Sequence, residues 1–195
     1  NIDVDYAMSR GIQVVNSPES LVEAVAEHVT LLMLALSRKL VAADETTREG
    51  KWEKNSLLGR ELRGKVLGIV GLGRIGRRIA EVSRTLGMSL LVYDVITIPP
   101  DVVEKLQCRI VSLDEVFGSS DYIPLHVPMT EETRHMVGPA RLSQMKKGAF
   151  LINTSRGGVV DEEALAAALT EGHLGGAALD VFEKEPPSGS ILKAP

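Results

Sequence analysis

The hydrophobic pattern of this 195-residue chain changes period twice. Residues 21–36 are apolar at nearly every helical position, broken only by a few polar side chains that include Glu23, Glu27 and His28. Asn16-Ser17-Pro18-Glu19, just upstream, offers a cap and an early proline, so a helix is predicted from there to about Lys39. Such a helix, apolar around most of its circumference, needs protein against several sides, and a second copy of the chain is one natural cover. Residues 41–51 read as a more polar helix stopping at Gly50, and residues 51–64 as a connecting loop in which Trp52 serves as a packing anchor. From residue 66 onward, short apolar runs at 66–70, 89–93, 108–110, 122–125, 149–153 and 177–179 alternate with helical patterns. Those patterns begin near Arg74 and cover 113–117, 130–137 and 161–170. Alternation of this kind predicts βα units and a parallel sheet.

The first apolar run leads directly into Gly71-Leu72-Gly73-Arg74-Ile75-Gly76, and a helical pattern follows at once. In that context each glycine has a task that excludes a Cβ. The first makes the tight strand-to-helix turn, the second lets backbone approach a pyrophosphate, and the third lets helix pack on strand. The pyrophosphate would rest on the free N–H groups at the start of the helix. Ser89-Leu90-Leu91-Val92-Tyr93-Asp94 then places a carboxylate at the end of the next strand, 23 residues beyond Gly71. A carboxylate there accepts hydrogen bonds from ribose hydroxyls and repels a 2′-phosphate, which favours NAD over NADP. The predicted fold is therefore α/β: a Rossmann-type, doubly wound parallel sheet with helices on both faces. Ligands of such sheets bind outside the carboxyl ends of the strands, which nominates Gly71, Asp94, His126, Thr154-Ser155-Arg156 and Asp180 for one crevice.

Composition narrows the classes. A chain 44% hydrophobic and 25% charged is that of an ordinary globular domain, and its length suits a single α/β unit. A net charge of −4 and a pI near 5.6 argue against a nucleic-acid footprint, and the charges within 21–36 argue against a membrane span. Cys108 is the sole cysteine, which fits a reducing cytoplasm and reads as a small buried hydrophobe. The histidines are scattered, and no metal-ligand spacing occurs. The first residue is not methionine and Pro195 falls in loop-like sequence, so a piece of a longer protein is expected.

Arg156 follows a strand and precedes Gly157-Gly158, and its planar fork suits a substrate carboxylate; an Arg paired to a surface acid is the competing reading. Asp180 and Glu185 end the last strand and its loop. With these in place, the chain resembles the D-isomer-specific 2-hydroxyacid dehydrogenases over essentially its whole length. The resemblance is carried in order by Asn1-Ile2-Asp3, the 71–76 turn with Tyr93-Asp94, Leu125-His126-Val127-Pro128, Asn153 to Gly158, and Ala177 to Pro186. Within that family, Gly50-Lys51-Trp52-Glu53-Lys54 with residues 59–64 is most similar to the D-3-phosphoglycerate dehydrogenases.

The resemblance implies an NAD-binding domain over residues 1–195, with N-terminal helices and loop at 1–65 and a dinucleotide core at 66–195. It implies that Arg156 binds substrate carboxylate and carbonyl, that Glu185 pairs with a catalytic histidine, and that Asp180 holds the nicotinamide carboxamide. Gly71, Gly73, Arg74, Ile75, Gly76, Asp94, His126, Val127, Pro128, Thr154, Ser155 and Arg156 would line the cofactor. The substrate would be a small anionic 2-hydroxy or 2-oxo acid: 3-phosphoglycerate first, with glyoxylate, hydroxypyruvate or D-lactate as alternatives. A non-enzymatic, NAD-sensing corepressor module is the reading from another class. The family's Pro-His-x-Gly loop does not occur within these residues, so the catalytic histidine and a substrate domain are expected outside them, and the chain alone is expected to bind NAD without turnover. His126 is nearest the crevice by position, whereas His28, His135 and His173 read as structural or solvent-exposed. Val127 replaces a small hydroxylated residue of the phosphoglycerate enzymes, at the cost of one cofactor hydrogen bond. A homodimer through Leu21–Leu40 is also expected.

Overall fold

The computed structural model describes residues 2–17 and 19–194. Three helices come first, α1 (Val4–Ser9), α2 (Val22–Arg38) and α3 (Leu40–Arg48). Then follow β1 (Val66–Val70), α4 (Arg74–Thr85), β2 (Ser89–Tyr93), α5 (Pro100–Leu106), β3 (Arg109–Ile110), α6 (Leu113–Ser119) and β4 (Tyr122–Leu125). The chain closes with α7 (Pro139–Gln144), β5 (Phe150–Asn153), α8 (Glu162–Thr170) and β6 (Gly176–Leu179), plus two short 3-10 turns. The six strands form one parallel sheet in the order β3-β2-β1-β4-β5-β6. The order reverses between β1 and β4, which is where open α/β sheets form their ligand crevice.

Strand side chains point alternately to the two faces, and each face has its own core. Leu67 and Ile69 of β1 join Val29, Met33, Ile79 and Leu106 under α2, α4 and α5. Val70, Ile123 and Leu125 join Phe117, Leu142 and Leu165 under α6, α7 and α8. Helices therefore cover both faces, as the alternating pattern predicted.

Helix α2 is fixed onto the sheet at its far end by a buried polar contact. The Ser37 hydroxyl donates to the Met33 carbonyl (2.6 Å) and lies 2.7 Å from the Tyr122 hydroxyl, while the Tyr122 ring stacks on Phe150. The Arg60 N–H donates to the Ser37 carbonyl (2.8 Å), which ties the loop before β1 to the same point.

Several local expectations are corrected. α2 starts at Val22 and is capped by Leu21 without a side-chain hydrogen bond. The Ser17 carbonyl instead accepts from both the N–H (3.3 Å) and hydroxyl (2.9 Å) of Ser20, a local turn that competes with helix. Asn1, Pro18 and Pro195 lie outside the described residues. Residues 130–137 are not helical: Thr130 and Thr133 bond each other, the Thr133 hydroxyl donates to the Pro128 carbonyl (2.7 Å), and His135 takes a left-handed φ of 47°. The helix of this unit begins only at α7, where Pro139 fills the first turn. α1 and α5 were not anticipated. Trp52 is no packing anchor; it is 78% exposed, and Lys54 lies 5.2 Å from its ring centre. α2 buries one face only, and Leu31 and Leu34 point outward, so within this chain it is not covered on several sides. Cys108 is buried as expected. Among the described residues no helix is long and apolar enough to cross a membrane, and no His/Cys/Asp/Glu cluster could hold a metal ion.

Candidate cofactor crevice

The last residues of five strands are register partners: Tyr93 with Val70, Val70 with Leu125, Leu125 with Asn153, and Asn153 with Leu179. The next residue on each strand is one nominated from the sequence, namely Asp94, Gly71, His126, Thr154 and Asp180. With about 4.8 Å between neighbouring strands, these five positions form a row roughly 19 Å long at one sheet edge.

Gly71, Gly73 and Gly76 meet different surroundings. Gly71 has φ +96°, its N–H donates to the Tyr93 carbonyl (2.8 Å), and a Cβ on it would sit 2.4 Å from the His126 carbonyl oxygen. A Cβ on Gly76 would sit 2.2 Å from the Gly71 carbonyl oxygen. A Cβ on Gly73 would meet nothing within 4 Å. Two glycines thus allow the turn to close, and the third leaves open ground above backbone. Arg74 and Ile75 begin α4 there; its first turn carries no acidic residue, and the Arg77 N–H donates to the Gly73 carbonyl (3.0 Å). The N–H groups ahead of Arg77 are those a helix start leaves for an anion.

Asp94 does more than the sequence suggested. One carboxylate oxygen accepts from the Leu72 N–H (2.6 Å) and the other from the Ile96 N–H (3.0 Å), so the side chain ties the glycine turn to the end of β2. A carboxylate has about four lone-pair sites, which leaves capacity for two ribose hydroxyls. Val95 and Ile96 follow it, both exposed, with no cation among them.

On the other half of the row, Asn153 organises the loop after β5. Its side-chain carbonyl accepts from the Ser155 N–H (3.0 Å) and hydroxyl (2.8 Å), and its amide donates to the Arg156 carbonyl (2.9 Å). The Arg156 guanidinium donates to the Ser155 carbonyl (2.7 Å) and makes no ion pair among the described residues, which removes the competing reading of a surface salt bridge. Gly157 lies flat against the next loop, where a Cβ would come within 2.0 Å of the Phe182 carbonyl oxygen. That loop carries Glu185, whose carboxylate accepts from the Phe182 N–H (3.3 Å). Glu183 fastens it: its carboxylate lies 3.1 Å from His135 Nε2, and its N–H donates to Glu162 (2.6 Å) at the start of α8. The Asp180 N–H donates to the Asn153 carbonyl (3.0 Å), and His28 Nε2 of α2 stands 3.5 Å from the Asp180 carboxylate. Neither histidine contact was visible in the sequence, because each joins elements far apart in the chain. Val127 and Pro128 lie on the loop leaving β4, beside the glycine turn; Val127 Cγ1 would be 3.4 Å from a Cβ on Gly71.

Burial pushes the His126 imidazole down to a pKa of about 4, and its Nε2 is buried without a hydrogen-bond partner. The folded value lies below the usual unfolded one, so the unfolded chain takes up the proton first. Stability is therefore complete above about pH 6.5 and lost as pH falls toward 4, by about 2 kcal/mol between pH 7 and pH 5 from this residue alone. Urea unfolding of wild type and His126→Asn at the two pH values should show that extra loss in wild type only; equal losses would mean that His126 is hydrated in the native state.

A family profile described as D-isomer specific 2-hydroxyacid dehydrogenase, NAD binding domain, matches residues 30–195. The chain belongs to the D-isomer-specific 2-hydroxyacid dehydrogenase family. It is 45% identical over 193 residues to a D-3-phosphoglycerate dehydrogenase of Synechocystis, covering 99% of this chain and 35% of that protein. It is 46% identical over 199 residues to a glyoxylate reductase of Korarchaeum cryptofilum, covering 99% of this chain and 60% of that one. The fold matches an Aquifex aeolicus D-lactate dehydrogenase solved with NAD and lactic acid (TM-score 0.86, 39% identity, 98% of this chain and 61% of that one). The chain thus spans from about a third to three fifths of these relatives' lengths. NAD is the family's cofactor, and the crevice fits it on its own terms. It has open backbone at Gly73, an anion-ready helix start, a carboxylate at Asp94, and two buried polar atoms without partners at the strand ends, His126 Nε2 and Thr154 Oγ1.

Proposed function

We propose that the chain is the cofactor half of an NAD-dependent dehydrogenase whose substrate is 3-phosphoglycerate. The observation that carries an anionic substrate is Arg156. Its fork stands exposed at the end of β5 without an acidic partner among the described residues, and the loop behind it is braced by Asn153. A guanidinium so held suits a carboxylate bidentately. The narrower choice is supported by residues 50–54 and 59–64; the relatives at about 45% identity include phosphoglycerate dehydrogenases alongside glyoxylate and hydroxypyruvate reductases.

When bound, NAD supplies the acceptor for a hydride from the hydroxyl carbon. Gly71, Gly73, Arg74, Ile75 and Gly76 would hold its pyrophosphate, and Asp94 its adenosine ribose. Val127 and Pro128 would line it beside His126, Thr154 and Ser155. Asp180 would bond the nicotinamide carboxamide and Arg156 the substrate carboxylate. Glu185 would stabilise the charged form of a histidine that takes the hydroxyl proton, since a neighbouring carboxylate raises such a pKa. The outward Leu21, Leu31, Leu34 and Leu40 support pairing with a second copy across residues 21–40, and the single buried cysteine fits a cytoplasmic setting.

The test is a substrate panel on the full-length protein with NAD or NADH. The proposal expects the highest kcat/KM on 3-phosphoglycerate. Higher values on glyoxylate, hydroxypyruvate or D-lactate would reassign the substrate within the family, and NAD binding without turnover of any of them would favour a sensing module.

A further inference from the structure

His28 is not part of the dinucleotide core, yet it stands in the crevice. α2 runs along the edge strand β6: Leu36 Cδ2 would be 3.2 Å from a Cβ on Gly176, the first residue of that strand, and His28 is 3.5 Å from Asp180, just past its last. Eight helical residues rise about 12 Å and four strand residues about 13 Å, so helix and strand keep step, antiparallel, from one contact to the other. The helix cannot slide. Ser37 is locked to Tyr122 in the core at one end, and Glu23 pairs with Arg78 of α4 (2.8 Å) at the other. Ala26 and Val29, on either side of His28, are fully buried. The imidazole is therefore carried on a rigid element to the end of β6, whereas the carboxylate it meets is 54% exposed and has no other side-chain partner among the described residues.

We propose that His28 is a positioning residue for the nicotinamide end of NAD: its Nε2–H donates to the Asp180 carboxylate and fixes the rotamer in which that carboxylate receives the carboxamide. The inference rests on the proposed role of Asp180. A separation of 3.5 Å is long for a hydrogen bond and of the kind that tightens when a ligand closes the site. A free, exposed Asp would lose rotamer freedom on meeting the ring, and a pre-set one loses less. The N-terminal helices would then contribute to cofactor geometry, not only to packing. His28 itself precedes the segment matched by the family profile, which begins at residue 30.

ADP-ribose, which carries every part of the cofactor except the nicotinamide ring, makes this testable on the chain itself. Calorimetry gives the ratio of NADH to ADP-ribose affinity for wild type, His28→Leu, His28→Gln, Asp180→Ala and the double variant His28→Leu/Asp180→Ala. Leu and Gln are both good helix formers, and Gln retains an N–H donor. Wild type should prefer NADH, and His28→Leu should cut the preference about fivefold, the net worth of one ordinary hydrogen bond, without changing ADP-ribose affinity. His28→Gln should restore most of it. In the Asp180→Ala background the second substitution should add nothing. Equal weakening of both ligands, or an unchanged ratio in His28→Leu while Asp180→Ala abolishes it, would overturn the role of His28 alone. A ratio insensitive to Asp180→Ala would overturn the placement of Asp180 and the inference with it.

Discussion

Gly73→Ala should leave the chain folded and remove most of its affinity for NADH, whereas Gly76→Ala should damage both. The two glycines sit three residues apart in one motif, yet their surroundings differ completely. At Gly73 the backbone has an ordinary φ of −69°, and a new Cβ meets nothing within 4 Å. The stability change should therefore stay within about 0.5 kcal/mol in urea unfolding. That same empty ground is where the pyrophosphate must approach the backbone, and a methyl group there should hold it off, with an affinity loss of at least about tenfold. At Gly76 the Cβ would sit 2.2 Å from a backbone oxygen that has no room to retreat, because Gly71 is itself pressed against His126. Overpacking of that kind costs about 1–3 kcal/mol or more, and the displaced helix start can no longer present its N–H groups. Wild-type NADH affinity in Gly73→Ala would show that the pyrophosphate does not cross this turn.

If the proposed function holds, Arg156→Ala in the full-length protein should raise KM and lower kcat together, for a combined loss in kcat/KM of about a hundredfold or more, the worth of two charge-assisted hydrogen bonds. Arg156→Lys should recover little, because an ammonium cannot offer the two parallel N–H donors of a guanidinium. Folding should be unaffected by either change. The side chain is exposed, and the loop is held by the Asn153 side chain and the Arg156 backbone carbonyl, which survive substitution. Steady-state kinetics alongside unfolding curves separates the cases. Near-normal kcat/KM in both variants would remove Arg156 from the site; a loss shared with stability would make it structural.

The legible part of this molecule was the part governed by short-range rules. Alternation of strand and helix patterns gave the sheet, and the strand–glycine–helix context gave the tight turn at residues 71–76, because those signals depend on residues close in sequence. What the sequence hid were contacts that depend on how elements are stacked. His28 meets Asp180 across the edge of the sheet, His135 meets Glu183 in the loop that carries Glu185, and Asp94 braces the glycine turn against the end of β2. The misplaced helix at 130–137 failed for a different reason. Its only apolar residues, Met136 and Val137, are adjacent and define no helical face, and the hydroxyls of Thr130 and Thr133 satisfied the backbone locally and closed a turn instead. The exposed Trp52 shows the same limit from the other side: an aromatic residue in a loop reads as an anchor, but here its ring lies on the surface beside Lys54.

The most direct test of the account is calorimetric titration of the chain with NADH and with NADPH, repeated for Asp94→Ala. Tight binding of NADH, at least about tenfold weaker binding of NADPH, and loss of that preference in Asp94→Ala are predicted from a carboxylate that accepts ribose hydroxyls and repels a 2′-phosphate. Equal affinity for the two cofactors in wild type, or no binding to a demonstrably folded chain, would contradict it.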